Sequence, residues 1–228
     1  MAEALIAVCV SALSPSKRGM IKVPIVVNQT EKDLTVDRLG VDHLPLPRAP
    51  ANAELSKHLE RELRSDHAGE TGAVSIYEGI VAVSKWRNKP ELVRFAQEHG
   101  QTEAEHLNLI EQWLPLDKRS RLLGPWRLAG WLTGAIPALF GERAVYATIA
   151  AVEIFVDHHY QQQVDHIHKF GAPPGLLSVI VKCQADECHH RDEAKALAGP
   201  KTLPMMLRLW CAGVGAGSAA AVVLARRV

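Results

Sequence analysis

Charge of one sign is missing from this sequence: 26 basic residues against 25 acidic ones leave a formal charge of +1 over 228 residues. Nucleic-acid binding through bulk positive potential is thereby excluded as a working expectation. Aromatic residues make up only 5% of the chain, which argues against a β-sandwich core. The four cysteines, Cys9, Cys183, Cys188 and Cys211, include no C-x-x-C pair. They encode neither a disulfide framework nor a thiolate zinc site, and a reducing compartment is expected. No G-x-G-x-x-G or other nucleotide fingerprint occurs. Uncharged runs are also short: 17 residues at 209–225 and 14 at 128–141, against the roughly 20 that cross a hydrocarbon layer.

What is present is a packable chain, 47% hydrophobic and 22% charged. Residues 1–50 stand apart. Pro24, Pro45, Pro47 and Pro50 interrupt any helical period, and the segment reads as a partly disordered N-terminal extension. Its apolar run from Leu5 to Leu13 lacks a preceding basic residue and an A-x-A site, a poor secretory signal. Only Glu3 is acidic among the first 30 residues, which is compatible with an organellar presequence.

Residues 51–228 form the second expected domain, with six helical segments. They are 53–86, 90–114, 122–140 (broken at Pro125 and Pro137), 142–169, one after Pro173-Pro174 ending at Ala198, and 203–227. Short connections predict an all-α bundle. The two apolar segments are expected either as buried core helices or as a surface dipping into one leaflet. In the second case Arg121, Arg127, Arg208, Arg226 and Arg227 would meet lipid phosphates.

Two E-x-x-H words occur, Glu103–His106 and Glu187–His190. Residues three apart share a helix face, so each word offers a carboxylate and an imidazole to one point. About one such word arises by chance in a chain of this composition, so the words alone decide nothing. Their setting does. Each is preceded by a helix with a glutamate among apolar residues: Glu70 lies 33 residues before Glu103, and Glu153 lies 34 before Glu187. Tyr77 and Tyr160 each follow their glutamate by seven. The chain reads as two copies of a helix pair. Between Ala147 and Val156 only Thr148 and Glu153 are not apolar, and a carboxylate buried there must be protonated, paired or metal-bound. Four carboxylates and two imidazoles suit two iron or manganese ions.

The segment RSDHAGETGAVSIYEG (64–79) resembles the DHAGE-x-GA signature of the demethoxyubiquinone hydroxylases, ferritin-like di-iron monooxygenases of ubiquinone biosynthesis. TEAEHL (102–107), VEIFVDHHY (152–160) and ADECHH (185–190) extend the likeness over roughly 60–228. The resemblance implies a ferritin-like four-helix bundle with two extra apolar, membrane-facing helices. It places the metal ligands on Glu70, Glu103, His106, Glu153, Glu187 and His190. The last helix permits a second register, since His189 follows Asp186 by three. The D-E-x-x-H form usual in di-iron helices favours Glu187 and His190, leaving Asp186 to orient an imidazole. His159 and Tyr160 match a pair that the family places near the quinone, which implies a catalytic role for both. For Gly69 and Gly72, tolerated inside a helix only at a cost, the expected reason is close approach of a ligand or a neighbouring backbone.

The implied activity is hydroxylation of a polyprenyl benzoquinone ring with O2 and two electrons, on two Fe ions. NADH, bound without a Rossmann unit, or a separate reductase would supply the electrons. The implied location is peripheral: the cytoplasmic face of a bacterial inner membrane, or the matrix side of the mitochondrial one. Other ubiquinone-biosynthesis proteins and further copies of the chain are conceivable partners, nucleic acid is not. The competing readings are a ferritin- or rubrerythrin-like iron-handling protein, a di-iron monooxygenase acting on a tRNA base, and an inactive quinone- or lipid-binding scaffold.

Overall fold

In the computed structural model, residues 49–50 and 53–228 are described; the expectations for the N-terminal extension fall outside them. Six α-helices follow one another: α1 (Lys57–Trp86), α2 (Pro90–Trp113), α3 (Leu123–Phe140), α4 (Glu142–Phe170), α5 (Leu176–Ala198) and α6 (Met205–Ala225). A 3-10 turn, Leu116–Lys118, joins α2 to α3, and no strand occurs among the described residues.

Local chemistry sets the helix ends. Ser56 caps α1 by accepting the Leu59 amide at 3.2 Å, so the helix starts at Lys57, four residues after the start read from periodicity. Pro90 opens α2 at a position where no amide hydrogen is needed. Gly171 and Gly199 follow α4 and α5 with φ of 81° and 75°, a conformation that ends a helix cheaply only at glycine. The Arg143 guanidinium donates to the carbonyl of Ala198, the last residue of α5, and to that of Lys201 beyond it.

The third segment is continuous rather than broken. Pro125 sits in the first turn, where its missing N–H has no acceptor to lose. Pro137 sits in the last turn, where it forfeits one helical bond and is itself buried against the bundle. The Arg87 guanidinium donates to the carbonyls of Ala138 and Leu139 at that end.

α1 with α2, and α4 with α5, form two helix pairs, and α2 meets α5 across the bundle. The ferritin-like bundle is these four helices. One apolar cluster contains Ile80, Leu92, Phe95, Val145 and Ile149. A second contains Leu63, Ile110, Trp113, Leu176 and Ile180. The buried glutamates and histidines belong to neither.

α3 packs on α1 and α4, and α6 packs on α4 and α1. The α1–α3 contact is backbone against backbone. A Cβ on Gly130 would collide with the Gly72 carbonyl, and one on Gly134 with the Ile76 carbonyl. The close approach thus depends on the α3 glycines and not on those of the expectation: a Cβ on Gly72 would come only to 3.8 Å from the Trp126 carbonyl, and one on Gly69 would meet nothing within 4 Å.

α6 is not a core helix: Ala225 alone is buried in it. Counting only uncharged residues stops at Arg208. The helix begins before it and, at 21 residues, is long and apolar enough by length and composition to cross a membrane. Trp210 Nε1 donates to Thr148 Oγ1 at 2.9 Å and tethers α6 to α4. Arg226 binds Glu62 Oε2 through both Nε (3.0 Å) and Nη2 (2.6 Å) instead of facing outward. A nearly buried carboxylate needs a cationic partner, which corrects its expected place at a lipid surface.

Candidate metal centre

Four helices each bring one or two polar side chains to a common point. α1 supplies Glu70, α2 Glu103 and His106, α4 Glu153, and α5 Glu187 and His190. All six are buried, none more than 4% exposed. They form two overlapping groups of mutually close ligand atoms: Glu70, Glu103, His106 and Glu187, then Glu103, Glu153, Glu187 and His190. Glu103 and Glu187 belong to both.

The atoms crowd without satisfying one another. His106 Nδ1 lies 3.0 Å from Glu187 Oε1, and His190 Nδ1 lies 3.0 Å from Glu103 Oε1. Yet both Nδ1 atoms, Glu103 Oε1 and Glu187 Oε2 lack an aligned hydrogen-bond partner. Buried polar atoms left so cost free energy. A set of carboxylate oxygens and imidazole nitrogens converging in this way fits divalent first-row metal ions, and four carboxylates balance the charge of two of them.

The electrostatics follow from the crowding. Burial first, and the charge of Glu103 next, push Glu70 well above the usual carboxylate range. Burial and the Glu187 charge do the same to Glu153. Burial alone would raise Glu103 too, but the imidazoles of His106 and His190 hold it below its ordinary value. Burial opposes protonation of the two histidines, yet the facing carboxylates win, raising His106 and bringing His190 to about 9.

The supporting contacts cross between the two helix pairs. Tyr160 donates to Glu70 Oε1, and Tyr77 donates to Glu153 Oε1 at 3.5 Å. Each tyrosine thus serves the glutamate of the other pair rather than its own. Asp186 on α5 accepts from His106 Nε2 at 2.9 Å, which turns Nδ1 towards the cluster. His190 has a different neighbour: the His99 ring lies 4.2 Å from it, centroid to centroid, and His99 Nε2 sits 3.1 Å from Glu193. His189 is 76% exposed at the side chain and points away from the cluster.

The four glutamates, but neither histidine ligand candidate, line a cavity of about 540 Å³. Its remaining lining is mainly apolar and comes from α1, α3, α4 and α6, including Trp126, Val152, Leu209 and Val214, with polar Ser65, Asp66 and Thr133 among it. Gly69 lines it as well. Trp126 Nε1 is buried with no partner. His159 and Tyr160 both line this cavity, while His58 and His166 stack on each other at 3.8 Å outside it.

A family profile described as Ubiquinone biosynthesis protein COQ7 matches residues 57–225. The chain belongs to that family. A protein of Rhodospirillum rubrum named 3-demethoxyubiquinol 3-hydroxylase is 39% identical over 150 residues, covering 64% of this chain and 67% of that protein. A Dictyostelium discoideum protein named NADPH-dependent 3-demethoxyubiquinone 3-hydroxylase, mitochondrial, is 38% identical over 136 residues, 58% of this chain and 61% of its own. The protein of that name from Rattus norvegicus is 31% identical over 176 residues, 74% and 77% of the two chains. The family thus has bacterial and mitochondrial members, and the mitochondrial names specify NADPH where the sequence reading named NADH.

Two features escaped the sequence reading. Asp66 receives His159 Nε2 at 2.8 Å and Gln163 Nε2 at 2.8 Å. It sits inside the DHAGE word, where a helix-face count from Glu70 was the available signal. The His99–Glu193 pair carried no signal of its own.

Proposed function

We propose that this chain is a 3-demethoxyubiquinol 3-hydroxylase, an oxidoreductase of ubiquinone biosynthesis that places a hydroxyl on the ring of a polyprenyl quinol using O2 and two electrons. The observation that carries the reading is a buried four-glutamate, two-histidine cluster whose carboxylate side opens onto an apolar cavity.

Glu70 and His106 would hold one iron ion, Glu153 and His190 the other, and Glu103 and Glu187 both. Iron held by this ligand class supplies the activation of O2 that ring hydroxylation requires. The chain's own residues do the rest. Asp186 fixes the His106 ring, and Tyr160 and Tyr77 hold Glu70 and Glu153 by donating to them. The walls from α3 and α6 exclude water and accept an isoprenoid tail. Trp126 Nε1 offers an unclaimed donor to a ring oxygen. His159 and Tyr160 act at the substrate end of the cavity. Electrons come from a reduced nicotinamide or a separate reductase.

The protein attaches to a membrane surface through the exposed apolar residues Leu128, Trp131 and Phe140 of α3 and Met205, Met206 and Leu209 of α6. The attachment is peripheral, on the cytoplasmic face of a bacterial inner membrane or on the matrix side of the mitochondrial one. An iron-storage role would need the ligands but not the greasy cavity, and an inactive scaffold would need the cavity but not six buried ligands.

The test is complementation of a ubiquinone-deficient strain that accumulates the demethoxy intermediate. The wild-type chain restores ubiquinone and Glu153→Ala does not. A wild-type chain that binds iron without restoring ubiquinone would favour the iron-handling reading.

A further inference from the structure

His159 lines the cavity, and its surroundings decide which of its nitrogens carries the proton. Nε2 faces Asp66 Oδ1 at 2.8 Å and Ser65 Oγ at 3.2 Å. The Ser65 hydroxyl is already donating to the Glu62 carbonyl at 2.8 Å, so towards His159 it presents a lone pair. Both neighbours of Nε2 are therefore acceptors, and Nε2 must carry hydrogen. Asp66 is itself held by Gln163, which donates to the same oxygen at 2.8 Å. Asp66, Ser65, His159 and Gln163 are all buried. Nδ1, by contrast, has no hydrogen-bond partner among the described residues, and the residue lines the cavity.

We propose that Asp66 is a positioning residue that locks His159 in the Nε2–H tautomer, so that Nδ1 takes the proton from a ring hydroxyl of the quinol. This rests on the hydroxylase reading above. The step moves one proton: the quinol O–H bond breaks, the proton joins the Nδ1 lone pair, and the electron pair stays on oxygen as an aryloxide. In a 1,4-quinol every free ring carbon is ortho to one hydroxyl. Ionising that hydroxyl enriches the carbon that must accept oxygen. The imidazolium so formed is balanced by Asp66 and returns its proton when the product hydroxyl reforms.

Other charges near the ring do not compete. From α1, Glu62 Oε2 lies 4.0 Å from His159 Nε2, but Arg226, which follows α6, is committed to that same oxygen. α4 contributes the neutral Gln163, and α3 lines the cavity with Trp126, Gly130 and Thr133.

The experiment is single-turnover hydroxylation of a short-chain demethoxyquinol by iron-loaded protein across pH, in wild type, Asp66→Asn, His159→Gln and the double variant. Asp66→Asn is expected to keep its iron and its quinol affinity while losing about 10²–10⁴-fold in rate at neutral pH. Its rate recovers towards wild type at alkaline pH, where the quinol ionises unaided. His159→Gln loses a similar factor, and the double variant loses no more than either single one. If Asp66→Asn fails to fold, the pH profile of His159→Gln carries the test by the same criterion. Retention of rate in Asp66→Asn, or a loss constant across pH and additive with His159→Gln, would overturn the proposal. A wild type that binds iron and quinol but forms no product overturns the hydroxylase reading itself, and the proton step with it.

Discussion

The two helix pairs carry the same ligand word but support it differently. In the α1–α2 pair, His106 is braced through Nε2 by Asp186, a carboxylate held in turn by Lys182. In the α4–α5 pair, His190 rests against the His99 ring. The reason is a single position: the residue before Glu187 is Asp186, whereas the residue before Glu103 is Thr102, too short and uncharged to do the same for His190. A repeat in ligands is thus not a repeat in surroundings. With a carboxylate on its Nε2, the His106 imidazole would be the more basic ligand, and a metal ion beside it would be expected to be held the tighter.

The largest way to break the comparison is to remove what both positions share. Glu187→Ala takes a ligand from both groups, so iron per chain should fall from about two to near none, with hydroxylation lost. Retention of one iron would show that the groups are not joined through Glu187. A smaller effect should split the pairs. Asp186→Ala is expected to weaken one of two metal-binding steps by about 10–100-fold, read by titration calorimetry, while His99→Leu shifts the other step less. Equal effects would mean that the positions are equivalent.

The smallest effect is in the pH dependence of the chelated, metal-free protein. Glu70 and Glu153, raised on folding, favour the fold while protonated and lose that contribution as pH climbs past their ordinary range. His190, raised to about 9, contributes fully below the ordinary histidine value and loses it as pH rises through 9. Glu103, lowered, acts in the opposite sense but only at strongly acidic pH. The metal-free melting temperature should therefore fall from mildly acidic to alkaline pH, and metal should abolish the slope. A flat metal-free profile would remove the crowded-carboxylate account.

Much of this was legible because the ligands obey helix periodicity. The intervals of 33 and 34 residues, and Glu153 alone among apolar neighbours, pointed to two paired helices around buried charge before any coordinates. The exchange of partners did not show. Tyr77 and Tyr160 mark the repeat in sequence, but only packing reveals that each donates across to the other pair. Asp66 was hidden for the same reason: its partners lie 93 and 97 residues away. Proline led the reading astray at α3, since near a helix end it breaks little. For α6 the helix itself was legible, as 203–227; only the uncharged run counted from Leu209 understated its apolar length.

The most direct measurement is iron-edge anomalous diffraction from crystals of the iron-loaded protein. Two peaks should appear within the buried cluster, one beside Glu70 and His106 and one beside Glu153 and His190, with Glu103 and Glu187 reaching both. A single peak elsewhere on the chain, or a folded protein that takes up no iron, would contradict the account.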